Sequence, residues 1–238
     1  TSAFCNYWAK VYTAITKAIA AEGDGKKRVT SAVDLKNCLS HDVSGLLLAT
    51  RLSIYYAAAG TVLGFGEVNQ PSPYTGYRIE LLRAMEVFAL AHEYSHFLLD
   101  ERSLRVADEE GNETNLGFEV FCDAIGLQLS RVWGSENDNW LAFTGAGGIA
   151  FFRAYETSVN CATELAEYND QSRPQRKQPD DSHPPPGERA LNLIKWAVEK
   201  TDSDQREAVE TFLVEFDLIC SNIGAFVLDT VREAKASP

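Results

Sequence analysis

The chain has 238 residues, 45% hydrophobic and 24% charged, with 8 prolines and 16 glycines, values that exclude collagen-like, coiled-coil-only and wholly disordered classes. Its 34 acidic against 22 basic residues leave a net charge of −12, which repels phosphate backbones and anionic lipid. The densest basic run is only Gly25-Lys26-Lys27-Arg28, so no nucleic-acid partner is expected.

In chain order the pattern predicts a mainly α fold with at most a small β element. Phe4, Tyr7, Trp8, Val11, Tyr12, Ile15 and Ile19 recur every three or four residues, as on one buried helix face. A second helix is expected after Asp42, which can cap it, running through Leu46 to Tyr56. Gly60 to Val68 reads as a short strand or extended segment, and Asn69 to Pro73 as a turn. Helical spacing returns from Ile79 to Asp100 through Leu82, Met85 and Phe88. An acidic polar connection from Glu101 to Asn115 follows. Leu116 to Val132 reads as a further helix stopped by Gly134. Trp140 to Tyr168 is one long helix or two, with Gly145, Gly147 and Gly148 allowing close packing or a break. Asn169 to Gly187 holds five prolines and reads as a long surface loop. Two helices, Glu188 to Lys200 and Gln205 to Lys235, close the chain.

No membrane insertion is expected. The apolar stretches weighed for it are Gly45 to Gly66, broken by Arg51, and Trp140 to Phe152, which is too short. No basic segment followed by an apolar run marks a signal peptide. The chain opens on Thr1 without a methionine, as expected of a shortened or processed product with flanking domains left out. Its 5 cysteines (Cys5, Cys38, Cys122, Cys161, Cys220) lack any C-x-x-C spacing. That pattern suggests reduced thiols and a cytoplasmic setting.

Of 4 histidines, two form His92-Glu93-Tyr94-Ser95-His96 inside a predicted helix. Positions i and i+4 share a helix face, so two imidazoles can converge on one ion. Zinc accepts neutral imidazole nitrogen, and the intervening Glu93 can serve as general base toward a water on the metal. The competing reading is two unrelated histidines on a half-exposed helix, which the core-like neighbours Phe88, Ala89, Phe97 and Leu98 disfavour. A third ligand is needed. Asp100, one turn on, is one candidate; Glu119 on the next helix is the better one. The metzincin position six residues after His96 holds Arg102. Asp123, four residues after Glu119, fits a carboxylate that holds a ligand histidine in one tautomer. Acidic pairs at this spacing are common on solvated faces, but Phe118, Val120, Phe121 and Ile125 make this a poor one. His183 and Arg189 lie in Ser182-His183-Pro184-Pro185-Pro186-Gly187-Glu188-Arg189. They could stabilise an oxyanion, or they could be a loop histidine and a helix start; their chemistry favours the second.

The three stretches together resemble the gluzincin metallopeptidases. His92-Glu93-x-x-His96, Glu119-x-x-x-Asp123-Ala124 and His183-Pro184-Pro185-x-x-Glu188-Arg189 follow the order of that group, most like the CAAX prenyl protease and heat-shock membrane peptidase family. The resemblance implies a zincin-like metallopeptidase core with zinc on His92, His96 and Glu119, and Glu93 as the base. It also implies that Asp123 supports the first histidine, and that His183 and Arg189 contribute to the active site. It covers only these stretches, within residues 92–189. The expectation is a single domain over 1–238, with a helical N-terminal part over 1–60 and the catalytic core over 79–200. It would be a soluble, divergent zinc endopeptidase acting on a protein or peptide substrate. The alternatives are a catalytically inactive zincin-like domain that binds metal or a protein partner, and a helical scaffold without metal. An inactive descendant has no reason to keep Glu93, which is present. Other features read as structural: His41 beside a helix cap, Cys122 as core, and four tryptophans as core anchors. Tyr94, Tyr155 and Tyr168 remain open as oxyanion donors.

Overall fold

Phe4, Trp8, Val11, Tyr12 and Ile15 fall at helical spacing, and in the computed structural model they form the buried face of α1 (Ser2–Ala21). The structure describes residues 1–21, 29–66, 75–98, 115–168 and 183–236. Among them the fold is mainly α and no strand occurs. The extended segment expected at Gly60 to Val68 is therefore corrected: residues 60–66 form turns, and 67–68 lie outside the described residues. Gly60, Gly64 and Gly66 all take positive φ, between 72° and 97°, which turns the chain rather than extending it.

A short helix, α2 (Ala32–Cys38), was not anticipated. Seven residues carry too few periods to show in a hydrophobic pattern. Its signal is a cap: the Ser31 hydroxyl accepts the Asp34 N–H at 3.1 Å, and the Thr30 hydroxyl donates to Asp34 Oδ2 at 2.6 Å. The Thr30 and Ser31 hydroxyls hold the Asp34 carboxyl below the usual carboxylate range. The cap position of the next helix, α3 (Ser44–Ala59), is Val43 rather than Asp42, which lies one residue earlier and accepts the Ser44 N–H on Oδ1 at 3.1 Å.

The remaining helices are α4 (Thr75–Leu98), α5 (Asn115–Glu136), α6 (Trp140–Thr144), α7 (Ala146–Tyr168), α8 (Pro186–Glu199) and α9 (Arg206–Ala236). Gly134 does not stop α5, which runs two residues further. The glycine is there for space: a Cβ on it would meet the Phe143 backbone nitrogen and stand 2.8 Å from the Asn139 carbonyl oxygen. Gly145 does break the next stretch in two, with a left-handed φ of 87° that a side chain would strain. The turn at 69–73, the connection at 101–114, and residues 169–182 of the proline-rich loop lie outside the described residues.

The chain divides into two compact units. One comprises Thr1–Leu82, Arg153–Arg173 and Val214–Pro238. In it α1 packs on α3, and Tyr12 meets Phe216 with ring centroids 6.3 Å apart. Arg153 grips Asp217 through both carboxylate oxygens at 2.7 and 2.9 Å, with Glu156 at 2.8 Å. The other comprises Arg83–Phe152 and Pro174–Leu213. Here α5 packs against α6 and α8. Arg131 caps the end of α8, donating to the Ala197 and Lys200 carbonyls at 3.3 Å each. Phe88 meets Phe152 edge-on at 5.4 Å. All five cysteines are buried.

One helix among the described residues, α9, is long and apolar enough by length and composition to cross a membrane, with a window of mean hydropathy 1.6. This corrects the inspection of Gly45 to Gly66 and Trp140 to Phe152, which passed over it. Burial along α9 is periodic: Val209, Leu213, Phe216, Cys220, Ile223 and Val227 are covered, while Glu210, Glu215 and Asp229 face solvent. A core helix shows that stripe.

Candidate metal centre

The second unit holds the predicted site. His92 and His96 project from one face of α4 with their Nε2 atoms 3.0 Å apart. From α5, the buried Glu119 places Oε2 3.5 Å from His92 Nε2 and Oε1 3.4 Å from His96 Nε2. Four ligands at 2.0–2.1 Å around a tetrahedral ion are about 3.3–3.4 Å from one another. The two histidine nitrogens lie near that spacing, and each faces a different oxygen of Glu119. His92, His96 and Glu119 thus form a group that could hold a metal ion, with donor atoms all within 4.8 Å of one another.

The donor chemistry fits as well. His92 Nδ1 lies 3.0 Å from Asp123 Oδ1 without completing an aligned hydrogen bond; a carboxylate at that distance attracts a proton on Nδ1, which leaves Nε2 with its lone pair. Glu119 Oε2 is buried and completes no aligned hydrogen bond; its contact with Arg189, at 3.3 Å, is an ion pair. Two buried carboxylates against one guanidinium leave one negative charge in this cluster when the imidazoles are neutral. Buried charge needs a partner. A cation between the histidines and Glu119 supplies one.

Arg189 takes a different place from the oxyanion role expected of it. It donates from Nε to Asp123 Oδ2 and from a terminal nitrogen to Oδ1, both at 2.7 Å. Its guanidinium lies 4.2 Å from the Phe152 ring centroid and is buried. The fork is thus closed on Asp123, the carboxylate beside His92. His183, by contrast, does reach the cluster. Its Nε2 lies 3.1 Å from Glu119 Oε1, and its side chain is 53% exposed. Pro184 is buried behind it, and α8 begins three residues on at Pro186, two earlier than expected.

Glu93 is exposed on α4 between the two histidines. Asp100, the other candidate ligand, lies outside the described residues, as does Arg102. Burial, with Glu119 and Asp123 nearby, pushes the Cys122 thiol up to about 12. It is protonated at neutral pH, a core residue rather than a ligand thiolate. Tyr94 and Tyr155 are exposed; the Tyr168 side chain lies outside the described residues. Gly126 escaped notice in the sequence. It follows Glu119 and Asp123 on their face of α5, and a Cβ there would stand 3.3 Å from the His92 backbone nitrogen. Its missing side chain lets α5 approach α4 where the ligands meet. An E-x-x-x-D-x-x-G spacing is the signal that could have revealed it.

Acid should empty the centre. Protons compete with the metal for the same imidazole lone pairs, so affinity is expected to fall as pH drops. Zinc retention measured by equilibrium dialysis from neutral pH to below about 5 checks this, the range following from the roughly 6.5 reference value for histidine. Retention unchanged across that range would remove both imidazoles from the centre.

Compared with known proteins, the chain matches no family model, no curated protein and no solved structure.

Proposed function

We propose that this chain is a zinc-dependent endopeptidase of gluzincin type, working on protein or peptide substrates in the cytoplasm. The observation that carries this reading is the convergence of His92, His96 and Glu119, whose donor atoms lie within 4.8 Å of one another, with an exposed carboxylate, Glu93, set between the two histidines. Zinc at this place would supply a Lewis acid that polarises the scissile carbonyl and makes water a better nucleophile. Glu93 takes the proton from the attacking water and delivers it to the leaving amine. Asp123 orients His92, and Arg189 holds Asp123. His183, exposed at the rim, donates toward the oxygen on which charge develops. The five buried cysteines, dispersed without C-x-x-C spacing, favour a reducing compartment.

A second reading is a metal-binding or protein-interaction domain without activity. It is favoured by the contacts of Arg189 and His183 with Glu119, which knit the cluster into a polar network. Both readings share a first test. Metal analysis after zinc loading and dialysis is expected to find one zinc per chain, and Glu119→Ala should lower the affinity at least about tenfold. Protein that keeps no zinc would remove the peptidase reading.

A further inference from the structure

We infer that two copies of this chain associate across a two-fold axis through the outer face of α5, an interface that goes beyond the zinc reading and does not depend on it. One side of α5 faces α4: Glu119, Asp123 and Gly126 turn toward His92. On the opposite side of the same helix lie Phe121, Ile125, Gln128 and Val132. Their spacing of four, three and four residues is that of one seam between two packed helices. Phe121 and Val132 are 46% and 47% exposed, and Leu129 beside them is 40% exposed. Gln128 is exposed as well, and Ile125 is half-buried. A contiguous apolar row left open on a helix marks a place where another surface sits.

Charge decides what sits there. The chain carries −12, so two copies repel wherever acidic surfaces would meet. The outer face of α5 escapes that penalty. From Gly117 to Ser135 the charged residues are Glu119, Asp123 and Arg131, and all three are buried. Every exposed residue over that span (Phe121, Gln128, Leu129, Val132 and Ser135) is uncharged. A basic partner would be held by an acidic rim, which this span lacks. Anionic lipid is repelled by the charge of the whole chain. A second copy needs neither attraction, because across a two-fold axis the face meets itself, apolar row on apolar row. Gln128, the polar member of the seam, offers both a donor and an acceptor to the facing copy. A single polar residue in such a seam fixes the register of the two helices.

Sedimentation velocity on the full chain reads the association directly. The wild type is expected to dimerise, and more tightly as ionic strength rises from about 0.01 to about 0.15 M, since the repulsion between like chains is then screened within about 8 Å instead of about 30 Å. Val132→Glu puts a carboxylate on the seam of each copy at an exposed position. Far-UV circular dichroism should not change, and the dissociation constant should rise at least about tenfold. Phe121→Glu, three turns away along the row, should do the same. A wild type that stays monomeric at every concentration would overturn the inference; if that monomer floats with uncharged phosphatidylcholine vesicles, the face belongs to lipid. A dimer that salt weakens, or that both variants leave unmoved, would place the contact elsewhere and overturn it too. None of these outcomes involves zinc, so the metal centre stands or falls separately.

Discussion

Replacing Glu93 by glutamine should leave zinc bound and the fold intact while peptide cleavage falls by at least about 100-fold, the lower end for loss of a general base. The amide keeps the size of the side chain but cannot take a proton from water. Glu93 is exposed, so the change costs no buried contact, and a loss of activity is not a loss of structure. Zinc content and far-UV circular dichroism measured beside the cleavage rate separate the two. Cleavage within a few-fold of wild type would remove Glu93 from the mechanism. Zinc binding by both proteins with cleavage by neither would favour the inactive-domain reading.

The second large effect is on stability. Arg189→Met should reduce the unfolding free energy by about 3–5 kcal/mol, because removing one partner of a buried ion pair strands the other. Side chains of Arg189 and Asp123 are 8% and 2% exposed, so water cannot replace the lost guanidinium. Glu119 loses the same neighbour at 3.3 Å. Urea unfolding of the metal-free proteins measures the difference. Arg189→Lys should recover only part of it, since an ammonium cannot close both oxygens of Asp123 as the fork does. Equal midpoints for wild type and Arg189→Met would mean that the cluster is not held by this pair.

Parts of the site were legible because chemistry demands local spacing. Two imidazoles on one ion need positions i and i+4 of a helix, and His92 and His96 advertise it. Glu119 and Asp123 stood out as acids among Phe118, Val120 and Phe121. The use of Arg189 was not legible. Its partner Asp123 is 66 residues away, and no local pattern records so distant a pairing. Gly126 was silent for a related reason, since the space it leaves is measured against another helix. The fold followed the same rule. α1 showed itself through a long apolar stripe, whereas α2 is too short to have one. The apolar length of α9 was masked by Glu215 and Asp217. Of these, Asp217 is neutralised by Arg153, again a pairing between separate helices.

The wide separation of Asp123 and Arg189 also bears on how the centre is made during synthesis. A chain emerging from its N-terminus exposes α5 with two acids on one face well before α8 exists. Until residue 189 arrives, those carboxylates repel one another and Asp123, the carboxylate beside His92, is unheld. Closing so long a loop carries an entropy cost that grows only slowly with its length, so the docking of α8 is gated by order of emergence rather than by reach. A metal held as proposed would be captured only once α8 has been made. A ribosome-bound fragment ending before α8 would hold the proposed ligands His92, His96 and Glu119 in sequence but lack the arginine that fixes Asp123.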